Sequence, residues 1–398
     1  MPTKTVIIRR EDIERVVGQM PDNTSLARNY FGAGKMKNST HISATSLKKE
    51  YGNVPVIMRG DTGIVPKHGM DVTDITPMPI EIDDKIRATE MDEYERASEE
   101  GKQQIIDEYL NDHAIMVRET TNALCCQAHR GRIDYMMKAG AELVRYQVNY
   151  GEVKNLTFGK SLSSSTMGDV TRMLSQLKSV ITKDGIGGAV EFIAHPAVYS
   201  HLTDLLTSAK NTQSIRGDHV LIGPYKVMED VDSYVDVAPD GTKTTKSLCE
   251  NGEICCRAVN AGQKLLYLRL DDVVQREAVP IYSFTETGSG QRGTNLYTKS
   301  KPFPLVNTKG IAFGKFKEET FAVTFSAGSN GTVTAQVDGK AITSGDKVAA
   351  GKTVTFTASP SASHVVDAWT GVTTSSGNSA TLEVTEAATV NVTFKATT

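Results

Sequence analysis

No run of lysine or arginine occurs anywhere in the 398 residues, and the formal net charge is −3. A dedicated nucleic-acid binder usually shows a basic face, so any contact with DNA is expected to be weak or passive. Cysteine is sparse: two adjacent pairs, Cys125-Cys126 and Cys255-Cys256, and Cys249. None has the C-x-x-C spacing of a redox or zinc site, and helix neighbours point about 100° apart. The expectation is buried or half-buried free thiols in a reducing compartment. No stretch approaches the apolar length of a membrane span, and the opening MPTKTVIIRREDIERVV is interrupted by charge before an apolar h-region develops. This predicts synthesis in a cytoplasm without a conventional export signal, and no membrane partner. Catalytic patterns are missing too. There is no H-E-x-x-H, no Ser/His/Asp motif, and the eight histidines are scattered singly. The reading is a non-enzyme with no cofactor and no metal site.

What is present is organised around one long amphipathic helix, predicted from Lys102 to Arg130. Ile106, Leu110, His113, Val117, Leu124 and Ala128 fall on one ridge, with Ile105, Tyr109, Met116 and Ala123 beside it. Lys102, Gln103, Asp107, Glu108, Asn111, Arg118 and Glu119 take the opposite face. Gly131 supplies the expected C-terminal cap. At 1.5 Å per residue the helix spans roughly 43 Å, so its single apolar side is expected to lie along a sheet. His113 reads as a core histidine rather than a ligand.

Ahead of this helix, residues 1–50 have few apolar anchors, apart from a short helix at Glu11–Val17. They read as an arm that stays mobile or is ordered along a neighbouring molecule. From Val54 to Ile86 short extended runs flank a turn-rich centre, and prolines 55, 66, 77 and 79 make this a projecting or edge excursion. Its Arg59-Gly60-Asp61 triplet reads as a loop rather than an adhesion motif. A charged helix over Met91–Glu100 is expected to join the long one at Gly101. Downstream come a hairpin (Ile133–Met137 with Leu143–Val148), a helix at Met167–Thr182, a strand at Glu191–Ala194 and a helix opened by Pro196. Further strands are expected at Tyr225–Met228, Lys264–Leu270, Val279–Phe284, Leu296–Lys299 and Gly310–Phe316. SFTETGSGQRGT reads as a flexible loop. Its GSGQRG has a G-x-G-x-x-G outline but lacks the strand-to-helix context of a dinucleotide site. The body is thus α+β.

From Phe321 onward Thr, Val, Ala, Ser and Gly dominate and helix signals vanish. Alternation at Phe321/Val323/Phe325, Val333/Ala335/Val337, Val354/Phe356/Ala358, Leu382/Val384 and Val390/Val392/Phe394, with intervening turns, predicts a β-sandwich of five or six strands. The only tryptophan, Trp369, reads as a plug for that small core. A surface ligand contact is the alternative.

The order of segments resembles a known family. A long helix ending in ETTNALCCQAHRG, the hairpin RIDYMMKAGAELVRYQVNYG, the block EFIAHPAVYSHLTDLL and a closing YTKSKPFPLVNTKGIAFGKF are similar to the major capsid protein of lambda-like tailed phages, over roughly residues 1–317. The resemblance implies the Hong-Kong-97-type capsid fold. It divides the chain into an N-terminal arm (1–50), an extended loop (51–90), the spine helix with the peripheral-domain hairpin (91–165), an axial domain (166–263) and returning peripheral strands (264–318). The remaining 319–398 resembles bacterial immunoglobulin-like repeat domains through AVTFSAG, VAAGKTVTFTASP and AWTG. Implied with the family are hexamers and pentamers in an icosahedral head around double-stranded DNA, assembled in a bacterial cytoplasm. Implied partners are further copies of itself, with scaffold, portal and decoration proteins. The tail is expected on the outer surface, with a host or mucosal glycan as its ligand and Trp369 as the candidate contact. Some relatives crosslink a loop lysine to a neighbour's asparagine. Lys67 with Asn295 or Asn307 could take those roles, although no activating carboxylate is marked. Two other readings stay open: an encapsulin-like nanocompartment shell, and a surface adhesin or glycan-binding module.

Overall fold

The computed structural model describes residues 8–43, 74–86, 90, 93–94, 96–140, 142–238, 240–287 and 294–397. These fall into two compact units, one drawn from 1–156 and 167–314, the other from 157–166 and 315–398.

The first unit opens with helices α1 (Arg10–Gln19) and α2 (Leu26–Asn29) and strands β1 (Lys35–Lys37), β2 (Ile42–Ser43), β3 (Asp74–Ile75) and β4 (Ile80–Ile86). The long α3 (Glu99–His129) follows, then β5 (Arg132–Ala139), β6 (Glu142–Asn149) and β7 (Lys154–Ser161). Next come α4 (Met167–Lys183), β8 (Val190–Ala194), α5 (Pro196–Ser208), β9 (Val220–Ile222) and β10 (Tyr225–Glu229). The unit closes with β11 (Ser233–Val237), β12 (Lys243–Ser247), β13 (Glu253–Ala258), β14 (Lys264–Leu268), β15 (Tyr282–Thr287), β16 (Thr294–Ser300), β17 (Pro302–Leu305) and β18 (Ile311–Lys317). Its main sheet runs β7-β18-β13-β8-β10-β9; smaller sheets run β1-β14-β17 and β15-β16-β4, and β5-β6 and β11-β12 are two-stranded.

The spine helix starts three residues ahead of its expected first residue because Ser98 caps it, accepting from the Gly101 N–H at 3.2 Å. Gly101 therefore lies inside the first turn rather than at a joint. Every residue of the expected ridge is buried. The single-sided reading holds only for the first five turns. From Ala123 to His129 all seven residues are buried, because the core there draws on β5, β6, β13, β14 and β17 around the helix. Met116, expected on the flank of the buried ridge, is instead 52% exposed.

Gly131 follows the helix at φ +81°, and a Cβ there would collide with the Gly151 carbonyl oxygen. Strain and clash act together, so Gly131→Ala is expected to destabilise the chain by about 1–3 kcal/mol. A guanidinium melt that leaves the midpoint unmoved would count against this.

Residues 26–43 depart from the arm expectation. Ala27, Tyr30, Phe31 and Ile42 are built into the chain's own core, and β1 pairs in parallel with β14. Three large buried side chains, Tyr30, Phe31 and Ile42, with Ala27 beside them supply the anchorage that the polar composition around them hides. SFTET is strand, not loop: β15 pairs antiparallel with β16. The glycine-rich 288–293 lies outside the described residues and joins two antiparallel strands, so no helix follows it. Most of the expected excursion, 54–73, with Arg59-Gly60-Asp61, also lies outside the described residues. Strands β11, β12, β13 and β17 were not anticipated. β13 is buried at all six positions, so it shows no alternation, and β17 is masked by its two prolines.

The second unit is all-β beyond the end of β18. Its strands are β19 (Thr320–Ala327), β20 (Gly331–Val337), β21 (Lys340–Ile342), β22 (Asp346–Ala349), β23 (Thr353–Pro360), β24 (His364–Thr370), β25 (Thr374–Ser376), β26 (Ser379–Glu383) and β27 (Ala388–Ala396). They form two sheets, β22-β19-β27-β24 and β21-β20-β23-β26-β25. Val323, Val348 and Val390 from one meet Ala335, Val354, Phe356 and Ala380 from the other in a single core, which makes a sandwich. It has more strands than expected because β21, β22 and β25 are short, and because β24 has its register broken between Val366 and Ala368. The β20–β21 turn places Asp338 and Gly339 both at positive φ, the geometry that Asp-Gly turns favour.

Candidate functional site

At the C-terminal end of α3 a buried polar cluster ties together segments far apart in sequence. Arg257 of β13 is 3% exposed. Its Nε and Nη2 donate to Glu191 Oε2 at 3.3 and 3.2 Å, and its Nη1 donates to the Leu26 carbonyl at 2.8 Å. The guanidinium lies 4.7 Å over the Tyr30 ring, a cation–π contact. Tyr30 in turn donates its hydroxyl to the Ala258 carbonyl, and burial pushes its phenol up. Arg130, the residue that caps the C-terminus of α3, donates to Glu253 Oε2 at 2.6 Å and the Leu248 carbonyl at 2.7 Å, and stacks 3.9 Å over Phe313.

Two aspartates complete the cluster by accepting backbone N–H groups. Asp230 accepts from Cys249 at 2.7 Å and Asp232 at 3.1 Å; Asp232 accepts from Ala27 at 2.7 Å. Asp232 thereby satisfies one of the free donors at the start of α2. Burial raises both carboxyls, that of Asp230 to about 6. His129 is held neutral. Its Nδ1 lies 2.8 Å from the Cys125 carbonyl, which can only accept, so that nitrogen carries the proton and Nε2 faces Arg257 Nη1 at 3.4 Å. Burial, then the Arg257 charge, depresses the imidazole to about 3. The cluster thus clamps the fold, joining α2, the end of α3, β8 and β13 through buried charged groups.

Cys125, Cys126, Cys249 and Cys255 share this core, and Cys256 is buried apart from it. All are free and buried, and burial raises each of them, Cys255 to about 12. Buried thiols of raised pKa are poor nucleophiles. The native chain is therefore expected to show no fast-reacting thiol towards a disulfide reagent at pH 8, and all five once denatured. Rapid native labelling of any of them would contradict this burial.

On the outside, no group of His, Cys, Asp or Glu among the described residues is placed to hold a metal ion. A cleft of about 790 Å³ runs between α1 and α3, with Val16 and Gln19 on one side and Glu100, Gln103, Gln104, Asp107, Glu108 and Asn111 on the other. Arg15 bridges the two helices, its Nη2 donating to Asp107 Oδ1 at 2.6 Å. Among the described residues the hairpins β5–β6 and β11–β12 pair with no further strand, and Leu143 and Val235 on them are exposed.

The residues picked out from sequence take separate places. Trp369 is half-buried on β24, with its ring centroid 6.3 Å from that of Phe356 and its Nε1 donating to the Gly377 carbonyl at 3.1 Å. His113 is a core histidine: Nδ1 lies 2.8 Å from Thr298 Oγ1, and Nε2 lies 3.5 Å from Asp84 Oδ2. Asn295 donates to the Tyr297 hydroxyl at 3.2 Å; Asn307 donates to the Ala261 carbonyl and accepts from the Lys309 N–H, both at 3.2 Å. Lys67 lies outside the described residues. The Arg257 cluster escaped the sequence reading altogether, although an arginine inside the apolar run EICCRAV was the available signal.

A sequence profile described as phage major capsid protein E matches residues 11–315. The chain belongs to that family. Among solved structures it is similar to a protein assigned as the capsid protein of a prophage of E. coli CFT073, with a TM-score of 0.52 at 14% identity, covering 79% of this chain and 100% of that one. It is also similar to a phage-related protein of Bordetella bronchiseptica RB50 (TM-score 0.42, 9% identity, 78% of this chain and 98% of that one). A third is the mature capsid of bacteriophage PhiM1 (0.40, 10% identity, 75% and 89%). Curated protein sequences give no significant match. The body of this capsid protein therefore has the Hong-Kong-97-type fold expected from its segment order.

Proposed function

We propose that the chain is the major capsid protein of a tailed phage. It self-assembles through hexamers and pentamers into an icosahedral head around double-stranded DNA, in the cytoplasm of the bacterial host. The observation that carries this reading is family membership over residues 11–315. The surfaces suit it: a long helix half open to solvent, two unextended hairpins and an open cleft are of use to a subunit completed by its neighbours. It acts as a structural protein. A net charge of −3 suits a shell that encloses DNA without gripping its sequence. Scaffold, portal and decoration proteins are its further partners. The sandwich of residues 319–398 is an immunoglobulin-like domain displayed outward, with a glycan ligand and Trp369 at or near the contact.

Negative-stain microscopy and light scattering of the expressed protein, alone and with its genomic neighbours, test the shell. Closed particles or free hexamers and pentamers are expected; a monomer under every condition would sink the reading. Removing residues 320–398 is expected to leave particles but abolish binding on a glycan array. Failure of particles to form would make the sandwich structural instead.

A further inference from the structure

Among the described residues the two most exposed large apolar side chains are neighbours, Val273 at 85% and Val274 at 75%. They top a short loop, 271–277, between β14 and β15, and that loop is fixed at both ends. The Arg269 N–H donates to the Ser39 carbonyl at 3.2 Å and the Ala278 N–H to Asn38 Oδ1 at 2.7 Å. Asp272 then shapes the tip, its Oδ1 accepting from the Val274 and Gln275 N–H groups at 2.8 and 3.2 Å while Lys299 holds its Oδ2 at 3.1 Å. Arg276 Nε donates to the Val273 carbonyl at 3.3 Å. Single exposed apolar residues are ordinary on a surface. Two side by side on a tip held by this many bonds are different, because a preorganised tip loses little freedom when it docks.

The same chain carries a matching recess. The cleft between α1 and α3 has Val16 on one wall, amides at Gln19, Gln103 and Gln104, and the carboxylates of Glu100 and Glu108. At about 790 Å³ it has room for two valine side chains and a guanidinium. Its acidic rim complements Arg276, which is exposed beside the valines. Among the described residues nothing packs over the tip, which stays open to solvent. If the shell reading holds, the partner available in quantity is another copy.

We propose that the Val273–Val274 tip seats in the α1–α3 cleft of a second copy of this chain, with Arg276 facing Glu100 and Glu108. Donor and acceptor surfaces differ, so the contact is heterologous and propagates from copy to copy around a closed ring or across a shell.

The full-length chain tests this in two ways. Val273→Ser with Val274→Ser alters only exposed positions, so the melting curve is expected to match wild type while the assembled fraction in sedimentation falls at least tenfold. Arg276→Glu and Glu108→Arg should each lower assembly several-fold, and the two together should restore it. In a second readout, Val274→Cys combined with Gln104→Cys is expected to give disulfide-linked ladders on non-reducing gels after mild oxidation of assembled material, with neither single variant doing so. The five native thiols are buried and leave that signal clean. Particles that form normally with serine at both positions, or that yield no ladder, overturn the contact and leave the shell reading standing. A wild-type chain that never associates overturns both.

Discussion

Arg257→Ala is expected to lower unfolding free energy by about 3–5 kcal/mol, the range for removing one member of a buried ionic set. The change strands several groups at once. Glu191 loses its charge partner, the Leu26 carbonyl its donor, and the Tyr30 ring its cation. The loss should also appear locally. Leu26 is gripped by Arg257 on one side, and Ala27 by Asp232 on the other, so the segment around α2 should become a protease target before the rest of the body unfolds. Urea denaturation of wild type and variant measures the first effect, and limited proteolysis with mass mapping the second. Retention of wild-type stability would show that the cluster is incidental to the fold.

The second large effect is loss of stability in acid, with His129 as its source. The imidazole sits at about 3 in the folded chain against an ordinary 6.5, because burial and Arg257 oppose its protonation. Below pH 6.5 the unfolded chain binds a proton that the native chain refuses, so stability falls as pH drops and reaches its floor near pH 3. By pH 4 this one group should remove about 3 kcal/mol. Asp230 works the other way. Its carboxyl is raised to about 6 from 3.8, so the native chain takes up a proton first and gains stability as pH falls from 6 towards 3.8. Asp232, also raised by burial, works in the same direction as Asp230, so the two carboxyls offset part of the histidine's loss. His129→Gln keeps a donor towards the Cys125 carbonyl but cannot titrate, so its stability relative to wild type should rise by about 3 kcal/mol between pH 6.5 and 4. Denaturation midpoints at several pH values decide this; parallel profiles for wild type and variant would place the acid sensitivity elsewhere.

The elements legible in the sequence were those whose stabilising contacts are periodic. α3, the stripe of Val170, Met173, Leu174, Leu177 and Ile181 on α4, the β5–β6 hairpin and the core positions of the sandwich all declare themselves by spacing; the α4 stripe and the main ridge of α3 are buried as read, while Met116 on α3 and Leu143 on the hairpin are exposed. Elements held by non-periodic contacts did not. β13 is buried on both faces and so reads as neither strand nor helix. Residues 26–43 look polar, yet four anchors suffice because their hydrogen-bond partners, Asp232 and Arg257, come from more than 200 positions away. The candidate assembly surfaces were legible only in part. The polar face of the spine helix was visible, but the cleft needs α1 laid beside it, and the valine tip gains its meaning only from a loop bound at both ends.

Within the sandwich, β19 and β27 are neighbours and run parallel, Val323 opposite Ala388 and Ala327 opposite Val392. The chain therefore enters this sheet at one end and its final strand finishes at the other, roughly 30 Å away at about 3.3 Å per residue. Chain leaving the end of β27 emerges at the far pole from the point of entry. If the shell is built as proposed, an epitope or an enzyme joined beyond that end of the strand would be carried there at one copy per subunit.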